Sequence, residues 1–286
     1  KCFLNCCNIN NIIAPTIAMH KDDLFDWIFE NNFVYKNKTG NDLKNIAILS
    51  ASCGNAHSLI AILDKGIYVT KKLISCAARN GFYRLTELLL NLYDQKTTEN
   101  NDDSFDYKSI VHFGNVSIFN LFIKYMNKSN LQKAFLHAIE VNSTSIIQFI
   151  LNNLDQFNFK LIDKLFIKMA LKLSIRIKSS ILFTYLVDKF KKSNPDIFNL
   201  KLFSRLLNQA CLDSNITAVK FITDIILNDK KKFDFTGAFF KASKSKSTEI
   251  CQYFLDQKVF IDIKNSKNIK ELGSVDIELF EKIINN

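Results

Sequence analysis

The stretch Ala51-Ser52-Cys53-Gly54-Asn55-Ala56-His57-Ser58-Leu59-Ile60-Ala61-Ile62-Leu63-Asp64-Lys65-Gly66 decides the fold. Small residues lead into a glycine hinge, and branched apolar residues follow it at Leu59, Ile60, Ile62 and Leu63. The same order returns in Ala78-Arg79-Asn80-Gly81 followed by Leu85, Leu88, Leu89 and Leu90, and it recurs about every 32 residues. With the hinge as landmark, copies fall at His20, Gly54, Gly81, Gly114, Asn142, Ile177, Ser214, Lys246 and Gly273. The apolar residues after each landmark recur at helical spacing, as in Leu24, Phe25, Trp27 and Ile28 or Ile146, Ile147, Phe149 and Ile150. They form one broad helical face and do not alternate as strand residues would.

A second apolar segment precedes each landmark and carries small residues near its end: Ala51, Ala77 and Ala78, Ala138, Ala170, Ala210 and Ala242. Small side chains let antiparallel helices approach closely. Each copy therefore predicts a helix-turn-helix pair with too little core to stand alone, and stacked neighbours supply the rest. The expectation is an all-α helical-hairpin solenoid of about eight to nine degenerate repeats over residues 15–286, preceded by a tail at 1–14.

These residues resemble the ankyrin repeat, best at Ala51–Gly66, where Gly66 supplies the terminal turn. Gly114-Asn115-Val116-Ser117-Ile118-Phe119 and Gly273-Ser274-Val275-Asp276-Ile277 are similar to the opening of that family's second helix. The Thr-Pro-Leu-His opening of its first helix is missing from every copy, and only Pro15 and Pro195 are proline. Long hairpin fingers are accordingly expected to shrink to short loops. The resemblance implies a protein-binding scaffold whose inner helices line a concave surface. Arrays this divergent are similar in style to those of intracellular bacterial effectors, large cytoplasmic DNA viruses and some protists. That style implies a cytoplasmic protein, working in a host cytosol on a host factor.

Composition narrows the chemistry. With 48% hydrophobic residues over 286 positions a large core is available, yet no apolar run approaches the roughly 18 residues a bilayer span needs. The stretch from Lys1 to Ala18 is apolar enough to suggest a signal peptide, but Asn5, Asn8, Asn10 and Asn11 interrupt it, and a chain that begins at Lys1 and not at methionine reads as truncated or processed. Of the seven cysteines, Cys53, Cys76, Cys211 and Cys251 sit at small or apolar repeat positions and read as packing residues of a reducing compartment. Cys2, Cys6 and Cys7 cluster outside the repeat with no histidine at zinc-binding spacing, so no metal is expected. No phosphate loop, nucleophile elbow or His-Glu-x-x-His motif is present, so neither catalysis nor a cofactor is expected.

The net charge of +10 invites a nucleic-acid reading, but only Arg79, Arg84, Arg176 and Arg205 are arginine, the side chain suited to bidentate phosphate and base contacts. Lysine, asparagine, isoleucine and phenylalanine are abundant together, as codon bias in an AT-rich genome would produce. One local pattern stands out: Lys160, Lys164, Lys168, Lys172 and Arg176 form a ridge at helical spacing, extended by Lys178, Lys189, Lys191 and Lys192. It is either a solvated face opposite Leu161, Leu165, Phe166, Met169 and Leu173, or a docking surface for an acidic partner, a phosphoinositide headgroup or RNA.

Candidate partner-binding residues are those of the first helices and hinges that the scaffold does not require: Arg79, Asn80, His112, Phe113, Glu140, Lys241 and Lys244. Phe113, an aromatic at a variable position, is either covered by the next repeat or a binding hot spot. The functional expectation is a non-catalytic protein-interaction scaffold. The alternatives are the substrate-positioning half of an enzyme and an anion-binding module built on the lysine ridge.

Overall fold

The computed structural model describes residues 10–30, 40–96, 105–157, 162–229 and 233–261, and among them it is helical throughout. Lys160, Leu161, Gly273 and Cys2, Cys6 and Cys7 lie outside the described residues. The chain divides into two compact units, Lys1–His137 and Ala138–Asn286.

The first unit contains α1 (Asn10–Ala18), α2 (Asp22–Glu30), α3 (Gly40–Cys53), α4 (Ala56–Leu63), α5 (Lys71–Arg79), α6 (Tyr83–Lys96), α7 (Tyr107–His112) and α8 (Val116–Phe122). These alternate as first and second helices of successive pairs. Each first helix packs on its own second helix, and α1, α3, α5 and α7 also pack on one another in that order. α9 (Lys128–Glu140) crosses the unit boundary. The second unit continues with α10 (Thr144–Asn152), α11 (Lys164–Arg176), α12 (Ser180–Ser193), α13 (Leu200–Leu212), α14 (Ile216–Asn228), α15 (Thr236–Lys244) and α16 (Thr248–Asp256). Here α11, α13 and α15 pack in series as first helices, and α12, α14 and α16 as second helices.

The hinges have a common backbone cause. His20, Gly54, Gly81 and Gly114 in the first unit, and Asn142, Lys178, Ser214 and Lys246 in the second, all have positive φ between 51° and 84°. One such residue lets the chain reverse while the last carbonyls of the first helix remain bonded. The N–H after the hinge reaches back to Thr16, Ser50 and Ala77 at 3.0, 2.9 and 3.1 Å, and to Ala138, Ala210 and Ala242 at 2.8, 2.9 and 2.9 Å. The small residues of the repeat are thus the acceptors of the helix-ending bond, and all six are at most 3% exposed. The sequence landmark at Ile177 is displaced by one: Ile177 has φ −75° and Lys178 is the left-handed residue. A lysine there costs about 1–2 kcal/mol relative to glycine, which hides the hinge from a search for glycine or asparagine.

Glycine matters most at Gly54, where an added Cβ would lie 2.5–2.7 Å from three atoms of the Phe82 ring, whereas nothing lies within 4 Å of one at Gly81. Gly81→Ala should cost about 1–2 kcal/mol for its positive φ alone. Gly54→Ala should cost more because the ring must also move, and urea denaturation of the two variants checks the order. Equal losses would place the Phe82 contact among the negligible ones.

First helices start without the Thr-Pro-Leu-His opening, and a single polar residue does its work. Thr70, Asp106, Asp163 and Asn199 accept the N–H of Leu73, Ser109, Phe166 and Leu202 at 3.3, 3.2, 2.9 and 3.1 Å. Such caps contribute about 1 kcal/mol each and need no proline or histidine.

Candidate partner-binding surface

Surface positions follow from the hinge. In each first helix the fourth residue before the left-handed residue is buried, and the second residue before it looks outward in most copies. In the first unit the outward set includes Arg79 and His112; in the second it includes Glu140, Arg176, Leu212 and Lys244. These side chains are exposed and chemically unlike one another, as expected where packing does not choose the residue.

In the first unit Phe113 is 53% exposed. Its ring meets His112 edge-on, with centroids 5.8 Å apart at 77°. Asn80 is exposed, but its Nδ2 donates to the Cys76 carbonyl at 2.9 Å, so its amide also closes α5. Polar bridges tie α6 to the turn that follows α8, and α4 to α2. Lys124 Nζ and Tyr125 Oη both donate to Asp94, at 2.7 and 2.8 Å. Burial pushes the Asp94 carboxyl up, but these two bonds and the lysine charge outweigh it and hold it below its ordinary value.

His57 Nε2 lies 2.8 Å from Asp26 Oδ1 across α4 and α2. That hydrogen bond raises the His57 pKa against a smaller opposing effect of burial, with help from the charges of Asp26, Asp22 and Asp23. The contribution is complete below the unfolded histidine pKa of about 6.5 and fades as pH rises through the folded value. Both groups are largely exposed, so it should amount to a few tenths of a kcal/mol. An NMR titration should give His57 a higher midpoint than its Asp26→Asn variant. Identical midpoints would remove the pair from the account.

In the second unit Lys244 is exposed and Lys241 half-buried on α15. On α11, Lys164, Lys172 and Arg176 are exposed and Lys168 half-buried. The apolar side expected opposite this ridge is only partly where the sequence put it. Phe166 is buried, but Leu165 is 68% and Met169 47% exposed, on the face that carries the lysines. The core side of α11 is Phe166, Ile167, Ala170, Leu171, Ser174 and Ile175. Helix α11 carries apolar residues on its lysine side as well as on its core side, so reading every leucine as buried rotated the face. The expected extension through Lys189, Lys191 and Lys192 lies on α12, a second helix, where Lys189 Nζ donates to Asn152 Oδ1 at 3.2 Å.

The neighbours of the ridge are instead Lys201 and Arg205 on α13. Lys168 is held below its ordinary pKa by loss of hydration first, and then by repulsion from Lys164, Arg205, Lys201 and Lys172. Counted back from the left-handed residues Ser214 and Lys178, Lys201 and Arg205 fall one position later than Lys164 and Lys168 do. The four-residue spacing within one helix drew attention away from the next.

Cys76, Cys211 and Cys251 are buried and free, and Cys53 is half-buried. Burial pushes the Cys211 thiol up, and that of Cys251 up to about 12, so both stay protonated at neutral pH. Among the described residues no three metal-ligating side chains gather, and no helix is long and apolar enough to cross a membrane. No family model matches the chain, and no curated protein matches it in sequence.

Proposed function

We propose that the chain is a non-catalytic protein-interaction scaffold, built as a divergent ankyrin-like array and binding a protein partner through the outward side chains of its first helices and hinges. The observation that carries this reading is the division of labour at each hinge. Buried small residues at the bonded position, Ala77, Ala138, Ala210 and Ala242 among them, hold the turn. The outward positions, free of that duty, carry arginine, histidine, glutamate, leucine and lysine. A scaffold that keeps its frame and varies its surface is suited to recognition. Phe113 adds an exposed aromatic, the kind of side chain that anchors interfaces.

The test is affinity capture from cell lysate with wild type and an R79A/F113A/K244A variant of matched stability. Wild type should retrieve a defined partner set that the variant loses. Identical partner sets from both would show that binding uses another surface.

A further inference from the structure

Three first helices of the second unit carry charge of one sign. Helices α11, α13 and α15 together present Lys164, Lys168, Lys172, Arg176, Lys201, Arg205, Lys241 and Lys244, and contain no aspartate or glutamate. Each of these eight cations is exposed or half-buried, and none makes an ion pair among the described residues. The second helices of the same unit are balanced: α12, α14 and α16 set Lys189, Lys191, Lys192 and Lys220 against Asp188, Asp224, Glu249 and Asp256. Lysine occurs on both rows, six against four, as codon bias would allow; what separates the rows is that all four acids lie on the second helices. The segregation calls for a cause at the first-helix face.

Three acids at the ends of these helices accept hydrogen bonds from neutral groups. Asp163 caps α11 through the Phe166 N–H at 2.9 Å, Asp213 receives Gln209 Nε2 at 2.8 Å, and Asp234 receives the Thr236 N–H at 2.9 Å. Glu140, on α9, is the acidic residue among the outward positions two before the hinges. Within the basic area stand Leu165 and Met169, 68% and 47% exposed. Cations without counter-charges repel one another, and exposed apolar side chains lose the stabilisation of burial; a ligand bearing carboxylates and apolar groups would relieve both.

We propose that the face formed by α11, α13 and α15 docks an acidic amphipathic peptide segment of a partner protein. Carboxylates of the segment would meet Lys168, Lys172, Lys201 and Arg205, and its apolar side chains would cover Leu165 and Met169. Methionine's flexible thioether suits such a contact. Nucleic acid fits less well: the exposed large apolar residues of α11, α13 and α15 are Leu165, Met169 and Leu212, with no aromatic ring on which a base could stack. A lipid surface fits less well because two isolated apolar side chains give little to insert. This inference rests on the scaffold reading and adds the chemistry of the partner.

The experiment measures binding to the full chain by fluorescence anisotropy. The probe is a helical peptide of about 15 residues with glutamate and leucine on one face. Its leucine-to-serine counterpart of equal charge, single-stranded RNA, and vesicles of phosphatidylcholine with phosphatidylserine are the comparisons. The amphipathic peptide should bind tightest, with affinity falling as salt rises. K168E/K172E/R205E should weaken it about tenfold or more, and L165S/M169S should weaken it several-fold without changing the salt slope. K191E/K192E, on the second-helix row, should bind as wild type does. The proposal fails if RNA or vesicles bind tighter, if the serine peptide binds equally well, or if K191E/K192E weakens binding as much as the first-helix reversal. It also fails if no peptide binds. Were lysate partners still lost on R79A/F113A/K244A in that case, the scaffold reading would survive and only the acidic partner would fall.

Discussion

Phe105→Ala is expected to cost about 3–5 kcal/mol, a large share of the 5–15 kcal/mol that holds a typical domain folded. Phe105 is 5% exposed and stands at the centre of an aromatic cluster in the first unit. Its ring centroid lies 5.1 Å from Phe122, 5.3 Å from Tyr125, 6.0 Å from Tyr93 and 6.2 Å from Tyr107. Lys71 Nζ sits 5.8 Å from the same ring. Truncation to alanine removes the burial of a large side chain, leaves a void among rings that cannot collapse, and deletes edge-to-face pairs contributing about 0.5–1.5 kcal/mol each. Phe105→Leu keeps most of the apolar volume and should lose about 1–2 kcal/mol. Urea denaturation followed by far-ultraviolet circular dichroism measures both. A Phe105→Ala midpoint matching wild type would show that the ring cluster contributes nothing.

The hinges were legible because a reversal of this kind requires a particular backbone, and few residue types tolerate it. Glycine and asparagine announce it at Gly54, Gly81, Gly114 and Asn142. His20, Ser214 and Lys246 became visible only through the rhythm of their neighbours, and Lys178 was missed by one residue because isoleucine and lysine give no local signal. The packing of small residues was likewise legible, while the reason for it, the bond from the N–H after the hinge, belongs to the folded chain.

The candidate surface was legible only in part. Exposed single residues such as Arg79 and Phe113 follow from helix position. The basic face does not, since it is assembled from α11, α13 and α15 and needs the register between helices that are distant in sequence. Leu165 and Met169 mislead for a related reason. A helix with apolar residues on several sides has no single inward face until its neighbours choose one, and those neighbours bury Phe166, Ala170 and Ser174 instead.

Asn215→Asp, a change of one atom type, should destabilise the second unit by about 3–5 kcal/mol at neutral pH. Asn215 is 3% exposed and follows the hinge at Ser214. Its Oδ1 accepts the Ala218 N–H at 3.1 Å and Thr217 Oγ1 at 2.8 Å, capping α14, while Nδ2 donates to the Ile175 carbonyl of the preceding pair at 2.9 Å. The first unit repeats the device: Asn55 Oδ1 accepts the Ser58 N–H at 3.0 Å and its Nδ2 donates to the Ile17 carbonyl at 3.2 Å. One amide therefore starts a helix and fastens it to the neighbouring pair, a double duty that requires an acceptor and a donor on the same side chain. Asn215→Ala loses all three bonds, but the Lys178 N–H still satisfies the Ile175 carbonyl at 3.0 Å, so its cost should stay near 2–3 kcal/mol, about the sum of a lost cap and a buried hydrogen bond. Asn215→Asp keeps the cap and turns a buried anionic oxygen toward that carbonyl, which is worse than having nothing there. Protonation would restore a donor, so the folded pKa of the introduced carboxyl is raised above the unfolded value of about 3.9. The variant's deficit relative to wild type should therefore shrink as pH falls through that raised value and be full above it. Denaturation of wild type, Asn215→Ala and Asn215→Asp at neutral and mildly acidic pH reads this directly: the aspartate variant should be the weakest of the three at neutral pH and gain on the alanine variant in acid. An aspartate variant as stable as wild type at neutral pH would mean that the amide does not join the pairs at all.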